Sequence, residues 1–162
     1  MKREDQHLHI VSTSWGDIAV QLKDDEVIGC ALPHLKTLPS KPFTILENHT
    51  RHPAVRFIID TLQGRRGELP PLAIPKGSSF QKQVWAVLMK IPAGETRSYA
   101  EVAKTIGKPT ACRAVANACG KNPLPLFIPC HRVIGSDGTL HGFSAGTPWK
   151  QLLLSAESRC RI

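Results

Sequence analysis

Between residues 65 and 78 the chain reads RRGELPPLAIPKGS. Prolines at 70, 71 and 75 and glycines at 67 and 77 exclude a regular helix or a central strand there, because each proline fixes φ and lacks an amide donor. The stretch predicts an extended connection. It divides the chain into residues 1–70 as an N-terminal α/β unit, a linker to about residue 78, and residues 79–162 as a C-terminal unit. Upstream, HLHIVST, GDIAVQLKD and EVIGCALPH are short and β-branched, with turn material at Ser14-Trp15-Gly16 and Asp24-Asp25. They predict a small antiparallel sheet. HPAVRFIIDTLQG follows with apolar residues at 55, 58, 59 and 62, a helical spacing that stops at Gly64.

Downstream the period is helical. SSFQKQVWAVLMKI offers Ser78 or Ser79 as N-cap and one apolar face at 80, 84, 87, 88 and 91. SYAEVAKTIG opens with Ser98 and Glu101, a capping box, and closes at Gly107. KPTACRAVANACGKN places Pro109 near a first helical turn and ends at Gly120. Two short helices joined around GKPT form a helix-turn-helix pattern, whose second member, about 110–119, is the one such a motif offers to DNA. A helical hairpin that touches no nucleic acid has the same spacing. Ala111, Ala114, Ala116 and Ala118 permit close approach to a DNA backbone or to another helix, and Arg113 is the only cation among them. Ser136-Asp137-Gly138 signals a tight hairpin. TPWKQLLLSAES closes as a helix with Thr147 as cap, Pro148 at the first position, and Leu152 and Leu153 toward the core. The expected class is α+β, a sheet domain packed on a mainly helical one.

Charge is placed unevenly. Residues 1–78 hold ten Lys/Arg against nine Asp/Glu, and residues 79–162 hold eleven against four. The basic half suits a polyanion, nucleic acid being the usual one. The first residues, MKREDQHLHIV, are charged and carry no apolar leader segment, and no stretch is long enough to cross a bilayer. A cytoplasmic protein without a membrane partner is expected. In a reducing compartment Cys30, Cys112, Cys119, Cys130 and Cys160, an odd set without a CxxC pair, are free thiols.

One of them is placed unusually. PLFIPCHRVIG ends an apolar run in Pro129 and sets Cys130 against His131 and Arg132. The arrangement reads either as a nucleophile beside its base or as a buried thiol beside a solvated cation. A thiol attacks as thiolate and needs its pKa lowered. Neighbouring side chains of an extended segment point apart, so Cys130 and His131 can cooperate only across a bend or a bridging water. A carboxylate should orient the imidazole. Of the four acids in this half, Glu95, Glu101, Asp137 and Glu157, Glu101 is used in a cap and Asp137 in a turn, and Glu157 in the last helix is the remaining plausible orienter.

IPCHRVIG, with Asn122 eight residues before the cysteine in NPLPLF and with GFSAG and KQLLLSAE after it, closely resembles the O6-alkylguanine-DNA alkyltransferase family (methylated-DNA–protein-cysteine methyltransferases) over about residues 79–158. The resemblance implies a ribonuclease H-like first domain and a winged helix-turn-helix in the second. It implies direct, stoichiometric transfer of an alkyl group from O6-alkylguanine in double-stranded DNA, with O4-alkylthymine as a further substrate to test, onto Cys130 after base flipping. His131 then resembles the base, acting through a water, and Glu157 the residue that orients it. Tyr99 matches the tyrosine that helps rotate the nucleotide and protonates the departing guanine. Arg113 matches the finger that fills the gap left by the flipped base, with Thr110, Ala111, Ala114 and Lys121 as DNA-contacting neighbours. Asn122 is similar to the hinge that ties the helix-turn-helix to the active-site turn. Val133, Phe143, Ser144 and Pro125 fall where the family builds its guanine pocket. Phe143 stands where many members carry tyrosine, and SAGTPW where a Gly-Gly pair is common, so pocket width is left open. A stable thioether would form, and each molecule would act once.

No cofactor is expected. His7, His9, Cys30 and His34 are conceivable zinc ligands, but their spacing matches no compact motif. A monomer is expected, with cooperation along DNA left open. Two other readings compete: a damage reader that binds alkylated bases and recruits other repair factors without chemistry, and a cysteine hydrolase with multiple turnover. Cys130 argues against the first, and its adjacency to His131 against the second.

Overall fold

The structure, a computed structural model, describes residues 6–47 and 52–159; Cys160 lies outside them. It is α+β. Three strands, β1 (Gln6–Thr13), β2 (Gly16–Lys23) and β3 (Glu26–Ala31), form an antiparallel meander. The short β4 (Ile45–Glu47) pairs with β1, giving the order β3-β2-β1-β4. The turn between β2 and β3 puts Asp24 and Asp25 at φ 50° and 65°, the two left-handed residues that a two-residue hairpin demands. Val11, Ile18, Val20, Leu22 and Val27 line the buried face. Against the sheet's side of the core lies α1 (Pro53–Leu62), with Val55, Ile58, Ile59 and Leu62 buried. Gly64 then reverses the chain at φ 71°.

The proline-rich connection is pinned along the sheet. The Val27 amide donates to the Pro71 carbonyl at 2.9 Å, and the Val27 carbonyl accepts from Ala73 at 3.0 Å. This parallel bridge covers the outer edge of β3.

In the second half, α2 (Ser79–Leu88) starts from Ser78, whose hydroxyl and the Gln81 side chain close a capping box. A two-residue strand, β5 (Arg97–Ser98), leads directly into α3 (Tyr99–Thr105), capped by Ser98 and Glu101. Helix α4 (Cys112–Gly120) begins later than the sequence reading places it. Pro109 and Thr110 are not helical. They are the centre of a turn closed by the Ala111 amide donating to the Lys108 carbonyl at 2.9 Å, and proline suits that first central position. A two-residue strand, β6 (Val133–Ile134), pairs in parallel with β5. Ser136–Gly138 turns tightly as expected: the Gly138 amide donates to the Gly135 carbonyl and the Gly135 amide to the Thr139 carbonyl, both at 2.9 Å. The last helix, α5 (Thr147–Ser158), is capped by Gly146 at φ 102° and not by Thr147, which is its first residue.

The halves share one interior. Phe57 stacks on Phe127 at 5.1 Å, and Trp15 meets Trp149 edge-on at 5.3 Å. Hydrogen bonds cross as well. The Cys30 amide donates to Pro123, the Leu35 amide to Ala145 at 2.8 Å, and the Trp149 indole to Pro33 at 2.7 Å. Among the described residues no helix is long and apolar enough to cross a membrane.

Candidate active site

The chain between α4 and β6 is shaped by Asn122. Its amide nitrogen donates to the Ile128 carbonyl at 2.8 Å, and its oxygen accepts from the Leu124 amide at 2.9 Å. Inside that closed loop, Leu126 is buried yet held at φ 74°, a conformation few non-glycine residues adopt. Pro129 follows at φ −81°, ψ 65°, and the Cys130 amide donates to Ile128 at 2.8 Å. Those values define an inverse γ-turn, a bend over three residues. From it Cys130–Arg132 continue as one turn of 3-10 helix, so cysteine and histidine are not on opposite faces of a strand. The parallel pairing of Arg97 with Val133 ties this turn to the start of α3, where Tyr99 sits.

His131 is completely buried. Its Nε2 lies 2.7 Å from Glu157 Oε1. Arg132 donates to the same carboxylate through Nε and Nη2 at 2.7–3.2 Å, and through Nη1 to the Ile91 carbonyl. Burial alone would raise the Glu157 carboxyl, but the hydrogen bonds from His131 and Arg132 outweigh it and hold the group at about 2. Burial also lowers the His131 pKa, only partly offset by Glu157. The pair is therefore a neutral imidazole donating from Nε2 to a carboxylate, and Nδ1 is left as the acceptor. That Nδ1 is buried with no hydrogen-bond partner among the described residues. Arg132 is not the solvated cation of the alternative sequence reading, since its charge is engaged by Glu157.

Cys130 is 5% exposed, and burial pushes its thiol up, while Asn122 and the Lys150 charge pull the other way. Tyr99, Cys119 and Lys150 stand near enough to Cys130 for charge on one to act on another. Burial, with Cys119 and Cys130 nearby, raises the Tyr99 phenol to about 12, and Cys119 is raised to about 12 likewise. Lys150 on α5 is 1% exposed, with Nζ 3.5 Å from the Tyr99 hydroxyl and 3.3 Å from the His141 carbonyl. Sequence reasoning missed it. The signal was there: Lys150 falls three residues before Leu153 and seven before Glu157, on the helix's buried stripe.

Arg113, Ala114, Ala116 and Asn117 form the outer face of α4, while Val115, Ala118 and Cys119 face the core. Ala118 is thus a packing residue, its carbonyl accepting from the Trp85 indole at 2.9 Å. Thr110 and Lys121 are exposed at the two ends of the helix and Ala111 is half-buried. Arg113 makes no ion pair among the described residues. Val133 and Pro125 are buried, Phe143 packs against the core, and Ser144 is exposed with its carbonyl 3.2 Å from His34 Nδ1. The four described cysteines are free. Among the described residues no three His, Cys, Asp or Glu side chains could hold a metal together. His9 stacks on His52 at 5.3 Å, His34 is turned to the pocket wall, and burial raises the Cys30 thiol to about 12, which makes it a poor zinc ligand.

Residues 79–159 match the family described as 6-O-methylguanine DNA methyltransferase, DNA binding domain. The chain is 51% identical over 86 residues to the methylated-DNA–protein-cysteine methyltransferase of Methanosarcina acetivorans, covering 53% of this chain and 55% of that one. It is 49% identical over 107 residues to the bifunctional transcriptional activator/DNA repair enzyme Ada of Escherichia coli, covering 64% of this chain and 29% of the relative. The chain thus spans about half or less of the length of the curated relatives it matches. Among solved structures, the Mycobacterium tuberculosis OGT in complex with DNA superposes with a TM-score of 0.76 at 32% identity, over 95% of this chain and 94% of that one.

Proposed function

The chain belongs to the 6-O-methylguanine DNA methyltransferase family, and from that premise we propose that it repairs DNA by moving the alkyl group of O6-alkylguanine onto Cys130, once per molecule. The observation that carries this reading is the unpartnered Nδ1 of a buried, carboxylate-anchored imidazole adjoining a cysteine on a γ-turn. Duplex DNA docks on α4, whose small side chains allow the backbone close and whose Arg113 reaches into the stack. Lys104, Lys108 and Lys121 are exposed on the same motif and supply attraction to phosphates. The flipped guanine enters beside Val133 and the Phe143–Ser144 wall. His131 Nδ1 takes the thiol proton through a bridging water, and the Nε2–Glu157 bond stabilises the imidazolium that results. The sulfur bonds to the alkyl carbon as the carbon–O6 bond breaks, and the electron pair passes into the purine. Tyr99 gives its proton to the departing guanine. No cofactor enters these steps. The thioether has no neighbour able to hydrolyse it, so turnover stops there.

Intact-protein mass spectrometry after incubation with an O6-methylguanine oligonucleotide tests this. The native chain should gain one methyl, stoichiometrically, and Cys130→Ala none. Absence of any gain with DNA binding retained would replace the reading with a non-catalytic damage reader.

A further inference from the structure

We propose that the cavity on the outer side of the Glu157–Arg132 pair is a binding site for a phosphate monoester, held by Arg65 and Arg66 and by the donors that Arg132 has left over. The site lies outside the alkyl-transfer steps and does not depend on them.

A cavity of about 300 Å³ opens where the chain after α1 meets the Pro92–Ala93 loop and the end of α5. Arg65, Arg66, Arg132 and Glu157 all line it. Three guanidiniums are met there by two carboxylates. Glu157 engages Arg132, and Asp60 lies 3.5 Å from Arg65, whose side chain is exposed and also donates to Gln63. A pair that exposed holds its partners weakly. Arg66 makes no ion pair or hydrogen bond among the described residues, so one positive charge is left over.

The donors are in excess as well. A guanidinium carries five N–H groups and no acceptor. Arg132 spends Nε and one Nη2 hydrogen on Glu157 and one Nη1 hydrogen on the Ile91 carbonyl, which leaves one on each terminal nitrogen. The backbone amides of Arg66 and Gly67 also have no acceptor among the described residues. Glycine keeps that segment against α1, since a Cβ at position 67 would lie 3.1 Å from the Phe57 ring and 3.3 Å from the Asp60 Cβ. Convergent guanidinium and amide donors around a surplus positive charge suit phosphate, whose oxygens accept from guanidinium forks.

Size and lining narrow the class. The volume stands at the small end of the range for small-molecule sites and exceeds what a bare phosphate fills. Phe57 and Pro92 give the cavity an apolar wall, against which the organic part of a monoester can pack. Ligand and Glu157 both draw on Arg132, so each weakens the other's hold on it, a coupling that works in both directions.

The test is isothermal titration of the full chain with adenosine monophosphate, inorganic phosphate and dimethyl phosphate, at one ionic strength set with chloride. Adenosine monophosphate should bind, inorganic phosphate more weakly because it lacks the apolar contact, and the singly charged diester not measurably. Arg66→Gln should melt as native protein does and bind adenosine monophosphate about tenfold more weakly, the loss of one charge-assisted contact. Glu157→Gln removes both the competitor for Arg132 and a like charge, and should bind about threefold more tightly. Arg65→Gln, expected to weaken binding, takes its place if that variant does not fold. Absence of binding by native protein overturns the proposal, as does undiminished binding in Arg66→Gln or unimproved binding in Glu157→Gln. Displacement of adenosine monophosphate by an undamaged duplex overturns it too, and would assign these arginines to the DNA backbone. None of these readings requires a methyl to move, so failure of alkyl transfer would leave the site standing.

Discussion

At Glu157 two opposing effects meet on one carboxyl, and the winner sets how the protein responds to acid. Unfolded, the group titrates near its ordinary 4.5, and folded at about 2. The unfolded chain therefore binds more protons across that window, so stability present above about pH 4.5 is lost as pH falls toward 2. His131, lowered by burial from 6.5, has the same sign and begins to act below that value. Thermal melts from pH 7.5 downward should show native protein weakening from about pH 6.5 and steeply below 4.5. Glu157→Gln should melt lower at neutral pH, lack the steep acid phase, and transfer methyl about 10–100-fold more slowly. An unchanged melting profile would leave the carboxylate without a role in the fold. This carboxylate was legible in the sequence as one of two acids, with Glu95, left in the basic half once Glu101 and Asp137 were engaged locally. The place of Lys150 on the buried stripe of α5 could be read, but its contact with Tyr99 could not, nor could the bidentate grip of Arg132. Residue type assigns a lysine or arginine to solvent, and only the packed helix contradicts it.

Helices α3 and α4 show which local signals decide structure on their own. Ser98 and Glu101 bond reciprocally at 2.7 and 3.0 Å, so the start of α3, and with it the place of Tyr99, is written in four consecutive residues. The start of α4 is not, since proline is equally at home in a first helical turn and at the second position of a β-turn. The Lys108–Ala111 bond chooses the turn and leaves Thr110 outside the helix. The outer face of α4 gives a prediction at this scale. Ala116→Glu should cost the fold only about 0.5 kcal/mol by helix propensity, yet weaken duplex binding by about tenfold or more through repulsion of phosphate. Lys121→Ala should weaken binding to any sequence and lower the slope of log affinity against log salt by about 1. Fluorescence anisotropy over a salt series reads both. Native affinity in Ala116→Glu would move the DNA surface off this helix.

Across the whole molecule, residues 144–149 are held by the first half of the chain through Pro33, His34 and Leu35. Gly146 caps α5 at φ 102°, and a Cβ added there would lie 1.8 Å from the Leu35 carbonyl oxygen. Gly146→Ala should therefore cost about 3 kcal/mol or more in a urea melt, from strain plus a backbone clash. Gly138→Ala, also at positive φ but in open space, should cost about 1 kcal/mol. Equal losses would mean that contact between the halves is not what Gly146 protects. Periodicity finds strands and helices one at a time, so nothing in it predicted a shared interior or a linker bridged to a strand edge. The bonds from Pro33, His34 and Leu35 to residues 144–149 have a further consequence. They join positions 110 to 116 residues apart, among the longest sequence separations in the molecule. Closing so long a loop costs entropy that only a nearly complete chain can offset. During synthesis Cys130 is joined to the chain before α5, and with it Glu157. The thiol thus gains its carboxylate-anchored base only when the two ends of the chain have met, so a truncated or half-folded copy would leave an alkylated base untouched.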